Sequence, residues 1–220
     1  KYPNMDPIID AMKFFQLSAG HWRSQRTTHH LAFRQAEKGE LDIKVATLEA
    51  NHPQVIELCE LHKINPSLAA GGALVSWQGT MAWDQSDDGH KDSTVMVVVP
   101  DADSPRHGKL LREKGYAETM PVAGLYQMDA QDGLVLITEY ETMSAHERFS
   151  FITPSRRMRT SIVKRFGGFS SASFCIETRI DSNLDNGASA GANTGANIGV
   201  TSQQQQNVLA PEEYYSILGW

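Results

Sequence analysis

Between residues 21 and 180, apolar and polar side chains alternate with a period of two in one short run after another, and a helical period interrupts them once. Ahead of these runs, Ile8, Ile9, Met12, Phe15 and Leu17 mark a short amphipathic helix. Asp6 is its expected N-cap, Pro7 its first helical residue and Gly20 its C-terminal cap. His21 to Phe33, rich in threonine and aromatic residues, reads as a strand, and Gln35 to Glu40 as a polar hairpin loop around Gly39. Leu41 to Leu48 alternates cleanly. Val55, Leu58 and Cys59, followed by Leu61 or His62, then fit one face of a helix over Pro53 to Ile64, which Asn65-Pro66 ends.

The period of two returns from Ala73 to Trp83, where Val75, Trp77, Met81 and Trp83 share a face. Gly79 leaves a gap on that face, which predicts either a bulge or a flat ligand lying against the indoles. Thr94 to Val99, Gly108 to Arg112 and Val122 to Met128 are further strands, with Asp101 to His107 as a loop. Gln131-Asp132-Gly133 signals a turn into Leu134 to Glu141, whose odd-numbered face holds Val135, Ile137, Glu139 and Glu141. Glu147 to Ile152 is a strand, Thr153-Pro154-Ser155 turns the chain, and Ser171 to Ile180 is the last run. About nine or ten short strands at hairpin spacing, with no strand–helix alternation, predict an all-β antiparallel up-and-down barrel with accessory helices. The first helix is expected to cap one end.

The arginine strand poses a choice of face. Residues 157–164 place Arg157, Arg159, Ser161 and Val163 on one side and Met158, Thr160, Ile162 and Lys164 on the other. Burial habits put Met158 and Ile162 in the core and the arginines in water. The converse requires an anionic companion, because an unpaired buried guanidinium costs several kcal/mol.

Composition narrows the field. Lys plus Arg number 20 against 26 acids, a net charge of −6, which argues against a general nucleic-acid binder. Two cysteines, Cys59 and Cys175, make neither a disulfide framework nor a metal cluster, and a reducing compartment is the simple inference. No apolar run approaches the roughly 20 residues of a membrane span. Phosphate loops, dinucleotide fingerprints, nucleophile elbows and paired-cysteine zinc patterns are absent. Adjacent His29 and His30 on a strand point apart, which disfavours a metal site. The boundaries follow: residues 1–5 as an extension, 6–180 as the barrel, 181–208 as a Gly-, Asn- and Gln-rich flexible linker, and 209–220 as an apolar segment.

The run Phe14-Phe15-Gln16-Leu17-Ser18-Ala19-Gly20-His21-Trp22-Arg23-Ser24-Gln25-Arg26-Thr27-Thr28-His29-His30-Leu31-Ala32-Phe33 closely resembles the opening of the S-type phycobiliprotein lyases, the CpcS/CpeS family. The likeness continues through Gly72 to Trp83, Gly108 to Val122, Leu136 to Thr142 and Arg157 to Cys175. The low-complexity tail departs from the usual family ending. The resemblance implies a lipocalin-like barrel that binds an open-chain tetrapyrrole, phycocyanobilin or phycoerythrobilin, as substrate rather than as a resident cofactor. The bilin is joined by a thioether bond to a cysteine of an apo-phycobiliprotein subunit of phycocyanin, allophycocyanin or phycoerythrin. Monomer, homodimer and heterodimer with a related lyase all remain open, and the implied location is the cytoplasm or a plastid stroma. Carried onto this chain, the bilin-binding residues are Trp22, Arg26, Trp77, Arg157, Arg159 and Ser161, and the catalytic ones Glu139, Glu141 and His29.

The residue chemistry agrees. Guanidinium forks donate to propionates, a carboxylate suits protonated pyrrole nitrogens, and an indole stacks on a conjugated face. The nucleophilic thiol belongs to the client, so Cys59 and Cys175 need no covalent role. Two other readings compete: a non-catalytic carrier of a bilin or fatty acid, and a scaffold that touches phycobiliproteins without pigment.

Overall fold

The computed structural model describes residues 6–81, 90–113, 122–139, 143–165, 167–168 and 170–180. Ten antiparallel strands close on themselves: β1 (Gly20–His30), β2 (Gln35–Leu48), β3 (Gly71–Met81), β4 (His90–Asp101), β5 (Ser104–Arg112), β6 (Val122–Met128), β7 (Leu134–Glu139), β8 (Met143–Thr153), β9 (Arg156–Arg165) and β10 (Ser170–Arg179). Each strand pairs with the next, and β10 pairs with β1, so the barrel is closed and up-and-down as expected. Closure satisfies the backbone groups that an open sheet would leave along its edges.

Helix α1 (Ala11–Ser18) plugs one end. Phe14 packs on Phe151 and Phe149 at ring-centroid distances of 5.1 and 6.5 Å, and Phe151 in turn meets Trp22 at 6.1 Å. Burying each such ring stabilises the fold by roughly 1.5–3 kcal/mol. Helix α2 (Pro53–Leu61) lies outside the barrel, where Val55, Leu58 and Cys59 join Val95, Val97 and Leu111 in a second cluster. Its N-cap is His52, whose Nδ1 accepts from the Gln54 N–H at 3.3 Å.

The helix start differs from expectation. Asp10, not Asp6, is the N-cap, its Oδ1 accepting from the Lys13 N–H at 2.7 Å, and Ile9 is left exposed. Ala19 is the C-cap, and Gly20, at φ +124°, already belongs to β1. The turn between β1 and β2 spans residues 31–34 with Arg34 at φ 55°. Gln35 to Glu40 is therefore strand, paired from His30↔Gln35 to Gln25↔Glu40; its polarity reflects a strand that runs past the apolar core. Likewise Asp101 to His107 is mostly strand around a two-residue turn at Ala102 and Asp103.

Gly79 marks neither a bulge nor an open slot. The register of β2 with β3 runs unshifted from Gly39↔Met81 to Leu48↔Gly72, and a Cβ on Gly79 would collide with the Glu40 carbonyl and sit 2.6 Å from Leu41 Cδ2. Close approach of β2 fills the space. Trp83 lies outside the described residues, as do 1–5, the linker at 181–208 and the apolar segment at 209–220.

Candidate functional site

Strand parity decides what faces the barrel interior. On β1, Trp22, Ser24, Arg26, Thr28 and His30 are buried, while Arg23, Gln25 and His29 are exposed. On β9, Arg157, Arg159 and Ser161 are buried at 2%, 0% and 6% relative exposure, whereas Ile162 is 49% exposed. The converse reading of the arginine strand is the correct one. Trp77 also points inward and is buried, between Ile43 of β2 and Asp92 of β4 in register.

The interior has two unlike halves. Ile43, Val75, Trp77, Met96, Leu110 and Tyr126 form an apolar wall from β2 to β6. Opposite them, β1, β8, β9 and β10, joined by Arg112 at the end of β5, supply an ionic layer. Arg157 Nε donates to Glu177 Oε2, a directly cross-strand partner in register. Arg159 Nη1 lies 3.8 Å from Glu147 Oε1, while its Nη2 donates to Cys175 Sγ at 3.3 Å. From β5, Arg112 Nη2 donates to Thr138 Oγ1 at 3.0 Å. Among the described inward-facing residues of this layer, four guanidinium groups, Arg26, Arg112, Arg157 and Arg159, share the interior with the carboxyl groups of Glu147 and Glu177.

This layer is incompletely satisfied. Both oxygens of Glu147, Oε1 of Glu177 and Nη2 of Arg157 make no hydrogen bond with described residues. Natural proteins rarely leave such groups so, and each calls for a bound water, an ion, a ligand or a functional role. Burial pushes the Glu147 carboxyl up from the ordinary carboxylate range; Arg159, Arg112 and Arg26 pull against that shift and Glu177 adds to it. For Arg159 burial disfavours the charge, but Cys175, Glu147 and Glu177 together outweigh it and push the guanidinium further toward its charged form. A carboxyl poised toward its neutral form beside a fixed cation can donate a proton or accept one.

Under α1, between Phe14, Ser18, Val45, Leu134 and Arg157, lies a small cavity of about 10 Å³, room for a water. Among the described residues no helix covers the opposite end, where β1 and β10 carry His30 and Ser171.

Two of the expected catalytic residues face outward. Glu139 is exposed, because Leu134, Leu136 and Thr138 take the inner face of β7. His29 is exposed too, and His30 faces inward, its Nε2 2.8 Å from Glu37 Oε2. Glu141 lies outside the described residues. Trp22, Arg26, Trp77, Arg157, Arg159 and Ser161 all face inward.

Residues that sequence reasoning passed over are Glu147, Glu177 and Arg112. A signal for the first existed: Ala145, Glu147, Phe149 and Phe151 recur every second residue, a carboxyl in series with core side chains. For Glu177, the partner Arg157 lay on a strand whose facing was then undecided. Cys59 and Cys175 are both free and buried, and no helix among the described residues is long and apolar enough to cross a membrane.

A closed ten-stranded antiparallel barrel with one helical plug and a half-cationic, half-apolar interior defines a lipocalin-like ligand-binding protein. Residues 10–180 match the family described as CpeS-like protein, and the chain belongs to that family. It is 54% identical over 213 residues to "Chromophore lyase CpcS/CpeS 2" of Trichodesmium erythraeum, a match that covers 96% of this chain and 100% of the relative. It is 56% identical over 179 residues to "Phycocyanobilin lyase subunit CpcS" of Picosynechococcus sp., covering 81% of this chain and 90% of the relative. Among solved structures, the S-type phycobiliprotein lyase CPES of Guillardia theta superposes with a TM-score of 0.70 at 34% identity, covering 79% of this chain and 94% of the other.

Proposed function

We propose that this protein is a chromophore lyase that binds an open-chain bilin inside the barrel and attaches it by a thioether bond to a cysteine of an apo-phycobiliprotein subunit. The observation that carries the reading is the buried ionic layer facing an apolar wall, where Glu147, Glu177 and Arg157 each keep an atom without a hydrogen bond to the described residues. A linear tetrapyrrole complements both halves: a broad conjugated face for Trp77 and its aliphatic neighbours, two propionates for guanidinium groups, and pyrrole nitrogens for a carboxyl. Membership of the family and the names of the relatives supply the reaction. The 56% identity to a phycocyanobilin lyase subunit favours phycocyanobilin as the pigment.

In the mechanism, Arg157 and Arg159 hold the propionates and orient the pigment. Glu147, raised toward its neutral form, protonates or hydrogen-bonds the pyrrole nitrogens, drawing electron density from ring A. The client thiolate adds its sulfur to the ethylidene carbon, the electron pair of that double bond passes into the ring system, and one proton taken up there completes the addition. Orientation and exclusion of competing thiols and water supply the rest of the rate.

The test is to mix the protein with phycocyanobilin and an apo-subunit, then denature. A lyase leaves pigment covalently on the client. A carrier shifts the bilin absorbance without covalent transfer, and a scaffold does neither; either result overturns the reading.

A further inference from the structure

One arginine outside the ionic layer is tied to it through an indole. Arg179, the last residue of β10, sends its guanidinium across the end of the barrel to the carboxyl terminus of α1, where Nη1 donates to Ala19 O at 2.5 Å and Nη2 to Leu17 O at 2.6 Å. Its Nε donates to Pro154 O at 3.3 Å in the turn before β9. A helix ends in carbonyls without intrahelical partners and a partial negative charge, so a guanidinium from 160 residues away does the work usually left to a terminal glycine. The chain makes room for it: a Cβ on Gly20 would stand 2.6 Å from Arg179 Nη1, and Gly20 sits at φ +124°.

The same guanidinium lies over Trp22, its Cζ 4.3 Å from the ring centroid. Arg157 lies over that ring as well, Cζ at 4.5 Å. Trp22 itself is fixed, fully buried, with Nε1 donating to Ser18 O at 2.8 Å. Two cations on one indole repel each other, and each has its own compensation: Glu177 for Arg157, the helix carbonyls for Arg179. Arg157 thus meets Glu177 on its cross-strand side and an indole whose place is set by α1 and Arg179.

We propose that Arg179 is a positioning residue for the pigment site: by clamping α1 and Trp22 it fixes the plane of the Arg157 guanidinium, and hence its fork for a propionate. This rests on the bilin-binding reading above. It acts on one functional group of the ligand, so its loss is specific to carboxylates rather than general to the pigment.

The experiment titrates phycocyanobilin and its dimethyl ester into the wild type and the Arg179→Gln, Arg179→Lys and Arg157→Lys variants, together with each Arg179 change in the Arg157→Lys background. Near-ultraviolet circular dichroism reports the Trp22 environment, and thermal denaturation confirms folding at the titration temperature. Arg179→Gln is expected to weaken the diacid roughly tenfold, the scale of a desolvated cation–π contact, and to leave the ester affinity unchanged. It should add nothing further in the Arg157→Lys background. Should Arg179→Gln not fold, Arg179→Lys, which keeps the charge but not the planar fork, carries the same expectations. Equal diacid affinity in the folded variant, or equal losses for diacid and ester, overturns the inference. Failure of the wild type to bind either pigment would instead overturn the bilin reading itself.

Discussion

Arg159 and Glu147 face each other inside the barrel at 3.8 Å, on neighbouring strands, and neither exposes its side chain to water. At that separation in a poorly polarisable interior the pair gains from mutual attraction, yet desolvation of Glu147 is the larger effect and its carboxyl is shifted toward the neutral form. The layer is costly to bury, and that cost is intelligible if the interior is built for a charged guest.

Glu147→Gln is the first consequence. A carboxyl whose folded-state pKa is raised contributes stability that is complete below its unfolded value, near 4.5, and lost as pH rises through the folded value. The wild-type empty protein should therefore lose thermal stability as pH rises above the ordinary carboxylate range. The Gln variant should lack that slope. Bilin transfer should fall at least tenfold in the same variant, and melting curves across pH together with the transfer assay check both outcomes.

Removing arginines alone is a poor probe of the site. Arg157→Ala leaves Glu177 buried without its partner, and such a break costs about 3–5 kcal/mol. The paired change Arg157→Met with Glu177→Gln keeps charge balance; it should fold with a melting temperature near that of the wild type and bind bilin at least tenfold more weakly, as read by absorbance titration.

Cys175→Ser separates a protein thiol from a client thiol. Its sulfur accepts from Arg159 Nη2 at 3.3 Å, a role a hydroxyl can fill, so the expected stability loss is about 1 kcal/mol. Transfer to the apo-subunit should survive. Loss of transfer in a folded variant would mean that the nucleophile scheme is wrong.

His29→Ala and Glu139→Gln should leave bilin affinity within about twofold of wild type, since both side chains stand on the outer face. A fluorescence or absorbance titration that shows a tenfold loss in either would place the pigment outside the barrel.

How far the sequence could go is visible in these same residues. The period of two, the hairpin spacing and the turn at Asp132 were enough for a closed antiparallel barrel with a helical plug. Facing was legible where one side of a strand is apolar, as on Leu41 to Leu48. It was not legible on β7, where Leu134 and Leu136 face in while Val135 and Ile137 are half-buried on the other side, so that either parity looked like core and Glu139 entered the site only through the family resemblance. On β1 the adjacent His29 and His30 offered no discrimination until Trp22 fixed the parity. Gln35 to Glu40 looked like a loop because its pairing with β1 lies past the apolar core, where a strand needs no hydrophobic face. The capping of α1 by Arg179 could not be read locally at all, since donor and helix are 160 residues apart.

The most direct test of the central claim is the crystal structure of the protein with phycocyanobilin bound. The account predicts the pigment within the barrel, its conjugated face against Trp77, both propionates within hydrogen-bond reach of guanidinium groups drawn from Arg26, Arg157 and Arg159, and Glu147 at the pyrrole nitrogens. A bilin on the outer wall, or one whose propionates point into solvent while Arg157 and Arg159 keep only their present partners, would contradict it.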